Sequence, residues 1–264
     1  DWTKELQKEC KKNKIDFLTS PYDLEYVDKV KKYVCSYKIG SGDITWLEIL
    51  EHIAKKNKTV LLASGAASME DVNRAVGTIL SHNPRLCLMQ CNTNYSTDSN
   101  KSSFANLNVL RQFSKEYPGM VLGLSDHSMN PATVVASISL GARVFEKHFT
   151  DDNDRDGPDH KFAVNPESWK EMVFLSKEAF YSLGTGSKII EKNEIDSRIV
   201  QQRCVRAKFD IKKGEIISRD HLDVLRPCPD NAIRPYDIDL LIGKKAAKDI
   251  EAGDAFLESF IVWI

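Results

Sequence analysis

The sequence has almost no net charge, no long apolar run and no paired cysteine motif, and each absence closes a class of function. Its 37 Lys and Arg stand against 38 Asp and Glu, for a net charge of -1. No basic stripe with interleaved aromatics occurs, which argues against a nucleic-acid partner. Pairs such as Lys11-Lys12 and Lys55-Lys56 read as solvated helix ends. No apolar run reaches the roughly 20 residues of a membrane span, so no membrane partner is expected. The opening DWTKELQKECKK carries charges where a signal peptide needs an apolar core. The six cysteines, Cys10, Cys35, Cys87, Cys91, Cys204 and Cys228, include no CxxC pair. Neither a zinc ribbon nor a disulfide framework fits, and a reducing, cytoplasmic setting is expected.

What remains is a globular chain. The 264 residues are 42% hydrophobic and 28% charged, enough for one large or two modest domains. Short apolar runs at 15–20, 36–41, 59–64, 86–91, 121–124 and 144–145 alternate with helical patterns, at intervals of roughly 21 to 34 residues. Regular βα alternation predicts a parallel sheet over residues 1–184. An eight-fold TIM (β/α)8-type barrel needs about 250 residues, so the count falls about two units short. The expectation is a barrel without its first two strands, with a six-unit doubly wound sheet as the alternative. Residues 185–202 read as a polar linker. The tail, 203–264, changes to short strands and turns. In it Asp210-Ile-Lys-Lys-Gly-Glu215 is echoed by Asp249-Ile-Glu-Ala-Gly-Asp254, which predicts a small β-rich domain with pseudo-two-fold symmetry. Too small for much core, it is expected to pack on a partner or another subunit.

The chemistry concentrates between Met120 and His160. Val121 to Leu124 ends in Ser125-Asp126-His127, and Val144-Phe145 ends in Glu146-Lys147-His148. In a parallel α/β fold the carboxyl-terminal ends of successive strands lie side by side. His127 and His148, 21 residues apart, are therefore expected to face each other. Two imidazoles there suit a divalent metal such as zinc, manganese or iron. The local alternative is that each His caps its own strand. Gly157-Pro158-Asp159-His160 is a turn that follows a site strand, where loops commonly carry function. Lys38 lies inside an apolar strand, and Glu146 shares a strand face with His148.

At this point the motifs resemble the sialic acid (N-acetylneuraminate) synthase family, with its legionaminate and pseudaminate relatives. The resemblance runs through LTSPYD (18–23), YKIGSGD (37–43), LASG (62–65), CNTNY (91–95), GLSDHS (123–128), EKHFT (146–150), GPDH (157–160), VLRP (224–227) and LIGKKAAKDI (241–250). It implies a TIM barrel joined to a small antifreeze-like (SAF) domain. The implied reaction is condensation of phosphoenolpyruvate with an N-acylhexosamine, N-acetylmannosamine or a relative, giving a nonulosonic acid and phosphate. A divalent cofactor, Mn2+ or Mg2+, and a domain-swapped homodimer are implied with it. By position, His127 and His148 resemble the metal ligands, and Lys38, Ser41 and Ser125, with Ser20 and Thr93 beside them, resemble the phosphoenolpyruvate contacts. Tyr95, Asp159 and a partner subunit's Arg226 resemble the sugar contacts. Lys38, Asp43 and Glu146 are the candidate catalytic residues. Thr93 stands where other members often have Asn, Ala63 where they have Ser, and Asp43 where some have Glu. The family's AEIG-type segment, with a catalytic Glu and a later Lys, has no counterpart among these residues. The expectation is that this chain alone is weakly active or inactive. The rival is a non-catalytic sugar- or partner-binding descendant.

Overall fold

A computed structural model describes residues 1–95 and 101–263. They form two compact units, Asp1–Thr185 and Gly186–Ile264.

In the first unit the elements are α1 (Thr3–Lys12), α2 (Leu24–Val30), β1 (Ser36–Ile39), α3 (Leu47–Ala54), β2 (Thr59–Ala63), α4 (Met69–Leu80) and β3 (Leu86–Cys91). Then follow α5 (Val109–Glu116), β4 (Val121–Asp126), α6 (Ala132–Ser139), β5 (Ala142–Lys147) and α7 (Pro166–Ser182). Helix starts follow local chemistry. Ser68 and Asp71 close a capping box on α4, and Asn165 and Ser168 close another on α7 with Pro166 at its first turn.

The five strands are parallel and their spatial order is their chain order, β1-β2-β3-β4-β5. A doubly wound sheet reverses its order at a switch point. This one does not, so the unit is part of a TIM-type barrel. Strand β3 (LCLMQC) is buried throughout, as expected of a parallel strand covered on both sides. Helices α3 and α4 close the outer face: Ile49, Leu50, Ile53, Val72, Val76 and Ile79 pack with Val60, Leu62 and Leu88 in one apolar core. The segment 15–20 falls short of the strand expected there. It makes a single bridge, Thr19 to Tyr37, with Lys38 N donating to Thr19 O at 3.1 Å. Ile15 stays 61% exposed, so its apolar side chain has no face to cover and the ladder does not extend.

The second unit holds α8 (Ile195–Gln201), β6 (Cys204–Ala207), β7 (Leu222–Leu225), β8 (Lys245–Ala246) and β9 (Ile261–Val262). Helix α8 lies in the stretch read as a polar linker. Cys228 N donates to Ile199 O at 2.8 Å, which ties this helix into the unit. The echoed segments pair across a local two-fold axis. Ile211 and Ile250 exchange both backbone bonds at 2.9 Å. Asp249 Oδ1 accepts from Lys213 N, and Asp210 Oδ1 accepts from Ala252 N, both at 2.8 Å. All six cysteines are free. Among the described residues no helix is long and apolar enough to cross a membrane.

Candidate active site

The strand tips meet at the carboxyl-terminal edge of the sheet. Strand β1 delivers Lys38, and the 3-10 turn after it (Ser41–Asp43) delivers Ser41. Strand β4 carries Ser125 and leads into His127, and β5 carries Glu146 and leads into His148. Register sets the neighbours: Cys91 pairs Ser125, and Ser125 pairs Glu146. These residues, with Ser20 and Tyr95, line one cavity of about 290 Å³.

Lys38 is buried, its side chain keeping 6% of its exposure. Its Nζ donates to Ile39 O at 3.1 Å and stands 3.3 Å from Glu146 Oε2. That carboxylate oxygen is buried and has no aligned hydrogen bond, so the pair is a Coulombic approach. An ammonium held this way can exchange its counter-charge for an anionic ligand, to which charge-assisted bonds are strong.

The two imidazoles face each other with ring centroids 5.0 Å apart. His127 Nδ1 lies 2.7 Å from Asn92 O. A carbonyl only accepts, so Nδ1 carries the proton and Nε2 the lone pair. His148 Nδ1 lies 3.4 Å from Asp159 Oδ2, a carboxylate that orients the ring. Tyr95 covers both rings, at 4.5 and 5.6 Å, and Phe162 meets His148 edge-on at 5.1 Å. Burial behind these rings pulls the His148 pKa down, as does the charge of His127, against the opposing pull of Asp159 and Glu146. His148 therefore stays neutral to lower pH than a free imidazole, the form that a metal needs.

Among the described residues no group of three or more His, Cys, Asp or Glu is placed to hold a metal. The donor set is two imidazoles with fixed tautomer or orientation. It fits a divalent ion that leaves positions open for substrate and water.

Beside the imidazoles lies a polar recess. Gly65 N donates to Ser41 Oγ at 2.9 Å. A Cβ at position 65 would lie 2.2 Å from Thr93 Oγ1, 2.8 Å from Ser41 Oγ and 3.0 Å from Cys91 Sγ. Only glycine leaves room for the three to converge. Thr93 Oγ1 and Asn92 Oδ1 are buried with no hydrogen-bond partner, a deficit that a bound ligand or water makes good. Burial pushes the Cys91 thiol up, but contacts with His127, Ser41 and Ser125 outweigh it and the net direction is down.

The structure therefore gathers Ser20, Lys38, Ser41, Tyr95, Ser125, His127, Glu146 and His148 in one cavity, with Asp159 and Thr93 at its margins. Asp43 is not among the cavity-lining residues; its amide closes the 3-10 turn onto Gly40 O at 3.1 Å. The cavity lining therefore lends the catalytic expectation for Asp43 no support. Arg226 lies in the second unit, exposed, with Nε donating to Gln201 O. Phe162 was not singled out by sequence reasoning, nor was the pairing of Asp126 with Lys147. A signal did exist for the pairing. Opposite charges 21 residues apart directly precede the two histidines, and equal spacing on neighbouring parallel strands makes them cross-strand partners.

Residues 1–188 match the NeuB family and residues 202–262 match the SAF domain. The N,N'-diacetyllegionaminic acid synthase of Campylobacter jejuni is 33% identical over 259 residues, 97% of this chain and 76% of that protein. The human N-acetylneuraminate-9-phosphate synthase is 30% identical over 264 residues, 99% of this chain and 72% of that protein. The crystal structure of the N-acetylneuraminic acid synthetase of Leptospira borgpetersenii superposes with a TM-score of 0.68 at 26% identity, covering 74% of this chain and 68% of that one.

Proposed function

The chain belongs to the NeuB family, and from that premise we propose that it is a transferase of nonulosonic acid synthesis, condensing phosphoenolpyruvate with an N-acylhexosamine. The enol carbon of phosphoenolpyruvate attacks the aldehyde carbon of the open-chain sugar. Water adds at the carbon that bore the phosphate, and inorganic phosphate leaves. Mn2+ or Mg2+ held by His127 and His148 supplies Lewis-acid polarisation of the aldehyde when bound.

The chain's own groups do the rest. Lys38 neutralises the multiply anionic phosphoenolpyruvate, releasing Glu146 as it does so. The hydroxyls of Ser20, Ser41, Thr93 and Ser125 orient it. Glu146, set free, is a carboxylate at the reacting centre, where it can hold the attacking water. Tyr95 and Asp159 face the sugar, and the aromatic wall keeps bulk water out. The observation that carries this reading is the placement of a buried, loosely paired ammonium beside two facing imidazoles in one cavity.

The test is phosphate release from phosphoenolpyruvate with N-acetylmannosamine and Mn2+. It is run on residues 1–264 and on the same chain joined to the family's two preceding βα units. Release that needs both sugar and metal is the expected result, and Lys38→Met is expected to reduce it roughly 100-fold or more. No release from either form, with metal still bound, would overturn the synthase reading in favour of a binding protein.

A further inference from the structure

Two buried charges that border the cavity, Asp126 and Lys147, have no role in the reaction described above. Lys147 keeps 1% of its side-chain exposure and Asp126 keeps 7%. We propose that this ion pair is the positioning element that sets how His127 and His148 face each other; the inference rests on the reading of those histidines as ligands.

The argument starts from register. Asp126 and Lys147 are the last pair of the β4–β5 ladder. The two histidines come one residue later, just past the last paired residues of the ladder. Side chains alternate along a strand, so the Asp126 and Lys147 side chains leave on the face opposite the imidazoles, although both residues border the cavity. Their partners agree: all lie in the turn between β4 and α6 or at the start of α6. Lys147 Nζ is 2.6 Å from Asp126 Oδ2. It also donates to Ser128 O at 2.5 Å and to Asn130 O at 3.2 Å. Asp126 Oδ1 accepts from Ser128 N at 2.9 Å, and Oδ2 accepts from Ser128 Oγ at 3.0 Å and from Thr133 Oγ1. The residue before His148 thus grips the chain on both sides of His127, at 126 and at 128 and 130. The backbone that carries His127 cannot shift without breaking a bond to this one ammonium.

Stability alone does not account for the arrangement. A buried ion pair commonly holds two elements no better than well-packed apolar residues of similar volume. An apolar side chain at 147 could not, however, bond the carbonyls of 128 and 130. What the charges add is a fixed geometry for the turn that carries His127.

The decisive variant is the double replacement Asp126→Leu/Lys147→Met, which leaves no unpaired buried charge. Three readings are taken: thermal unfolding, the ring-nitrogen NMR spectrum of 15N-histidine-labelled protein without metal, and Mn2+ affinity from the EPR signal of the free ion. The double variant is expected to melt near the wild type. The unequal ring nitrogens of His127, set by its bond to Asn92 O, are expected to collapse toward a tautomer average. The Mn2+ dissociation constant is expected to rise at least tenfold, the usual size of such outer effects. A purely structural pair would move the melting temperature and leave the other two readings unchanged, and that result overturns the proposal. Should the double variant not fold, Thr133→Val removes one bond to Asp126 together with the hydroxyl's contacts with Ser128 and Asn130. It is expected to shift the His127 ring nitrogens in the same direction by less, and an unchanged spectrum refutes positioning. Wild-type protein that binds no Mn2+ would sink the metal reading alone, since the metal-free spectrum still decides the role of the pair.

Discussion

At the scale of single residues, pH sensitivity is the most direct consequence of the site. An ordinary histidine titrates near 6.5. Burial among Tyr95, Phe162 and His127 lowers the pKa of His148 in the folded chain. The unfolded chain therefore binds this proton first. The stability that His148 contributes is complete above about 6.5 and is lost as pH falls through the lower folded value. Metal affinity depends on the folded chain alone, because a ligand must be neutral, so for His148 it falls as pH passes the lowered folded value. Isothermal titration with Mn2+ is expected to give constant affinity from pH 8 to about 6.5 and a fall below it; affinity that stays flat to about pH 5 would remove both histidines as ligands. These two residues were legible in the sequence because each ends an apolar run with a polar tip. Lys147 was not, since a lysine in a charged tripeptide looks solvated until the register of two strands turns it inward. Asp43 shows a different limit: its motif marks a strand end, but the residue sits at the close of the 3-10 turn and is not among the cavity-lining residues.

At the scale of the elements, the β4–β5 contact is the joint the site depends on, since its strands lead into both histidines. The ladder shifts register between Leu122 and Gly123. A Cβ at position 123 would lie 2.7 Å from Val144 O and 2.9 Å from Met89 Cγ. Two effects compete in Gly123→Ala. A less flexible unfolded chain favours the variant by about 0.4–1 kcal/mol. Overpacking against a backbone carbonyl opposes it by about 1–3 kcal/mol, and the carbonyl cannot move without moving β5, so overpacking wins. A net loss of about 1–2 kcal/mol is expected, read as a lower urea midpoint with unchanged slope. A Gly123→Ala variant as stable as the parent would show that the strands separate freely here. The alternation of strands and helices was readable because parallel strands buried on both faces are continuous apolar runs, as β2 and β3 are. The segment 15–20 imitates such a run. It pairs only through Thr19, and periodicity cannot report whether a run has neighbours on both sides.

At the scale of the whole molecule the open question is where Arg226 acts. Within its own unit it is anchored: its Nε holds Gln201 O at the end of α8, and Cys228 N holds Ile199 O. The guanidinium is thus presented from a braced loop, a good platform for a bidentate contact with a polar ligand. The family resemblance sends it to the cavity of a second subunit, and mixing experiments can tell exchange between subunits from closure within one chain. Lys38→Met disables a cavity but leaves its tail intact, and Arg226→Ala does the reverse. Each is expected to be nearly inactive alone, in whichever form of the chain turns over phosphoenolpyruvate. Co-refolded in equal amounts under exchange, half the dimers are hybrids. In each hybrid the cavity with Lys38 receives Arg226 from the other subunit, while the second cavity has neither. Activity should then return to about a quarter of the wild-type level, as domain exchange at random pairing requires. Within a single chain no mixture can restore it, because every cavity then lacks Lys38 or Arg226. Recovery near a quarter would establish the exchanged dimer, and a mixture no more active than its parts would place Arg226 over its own barrel.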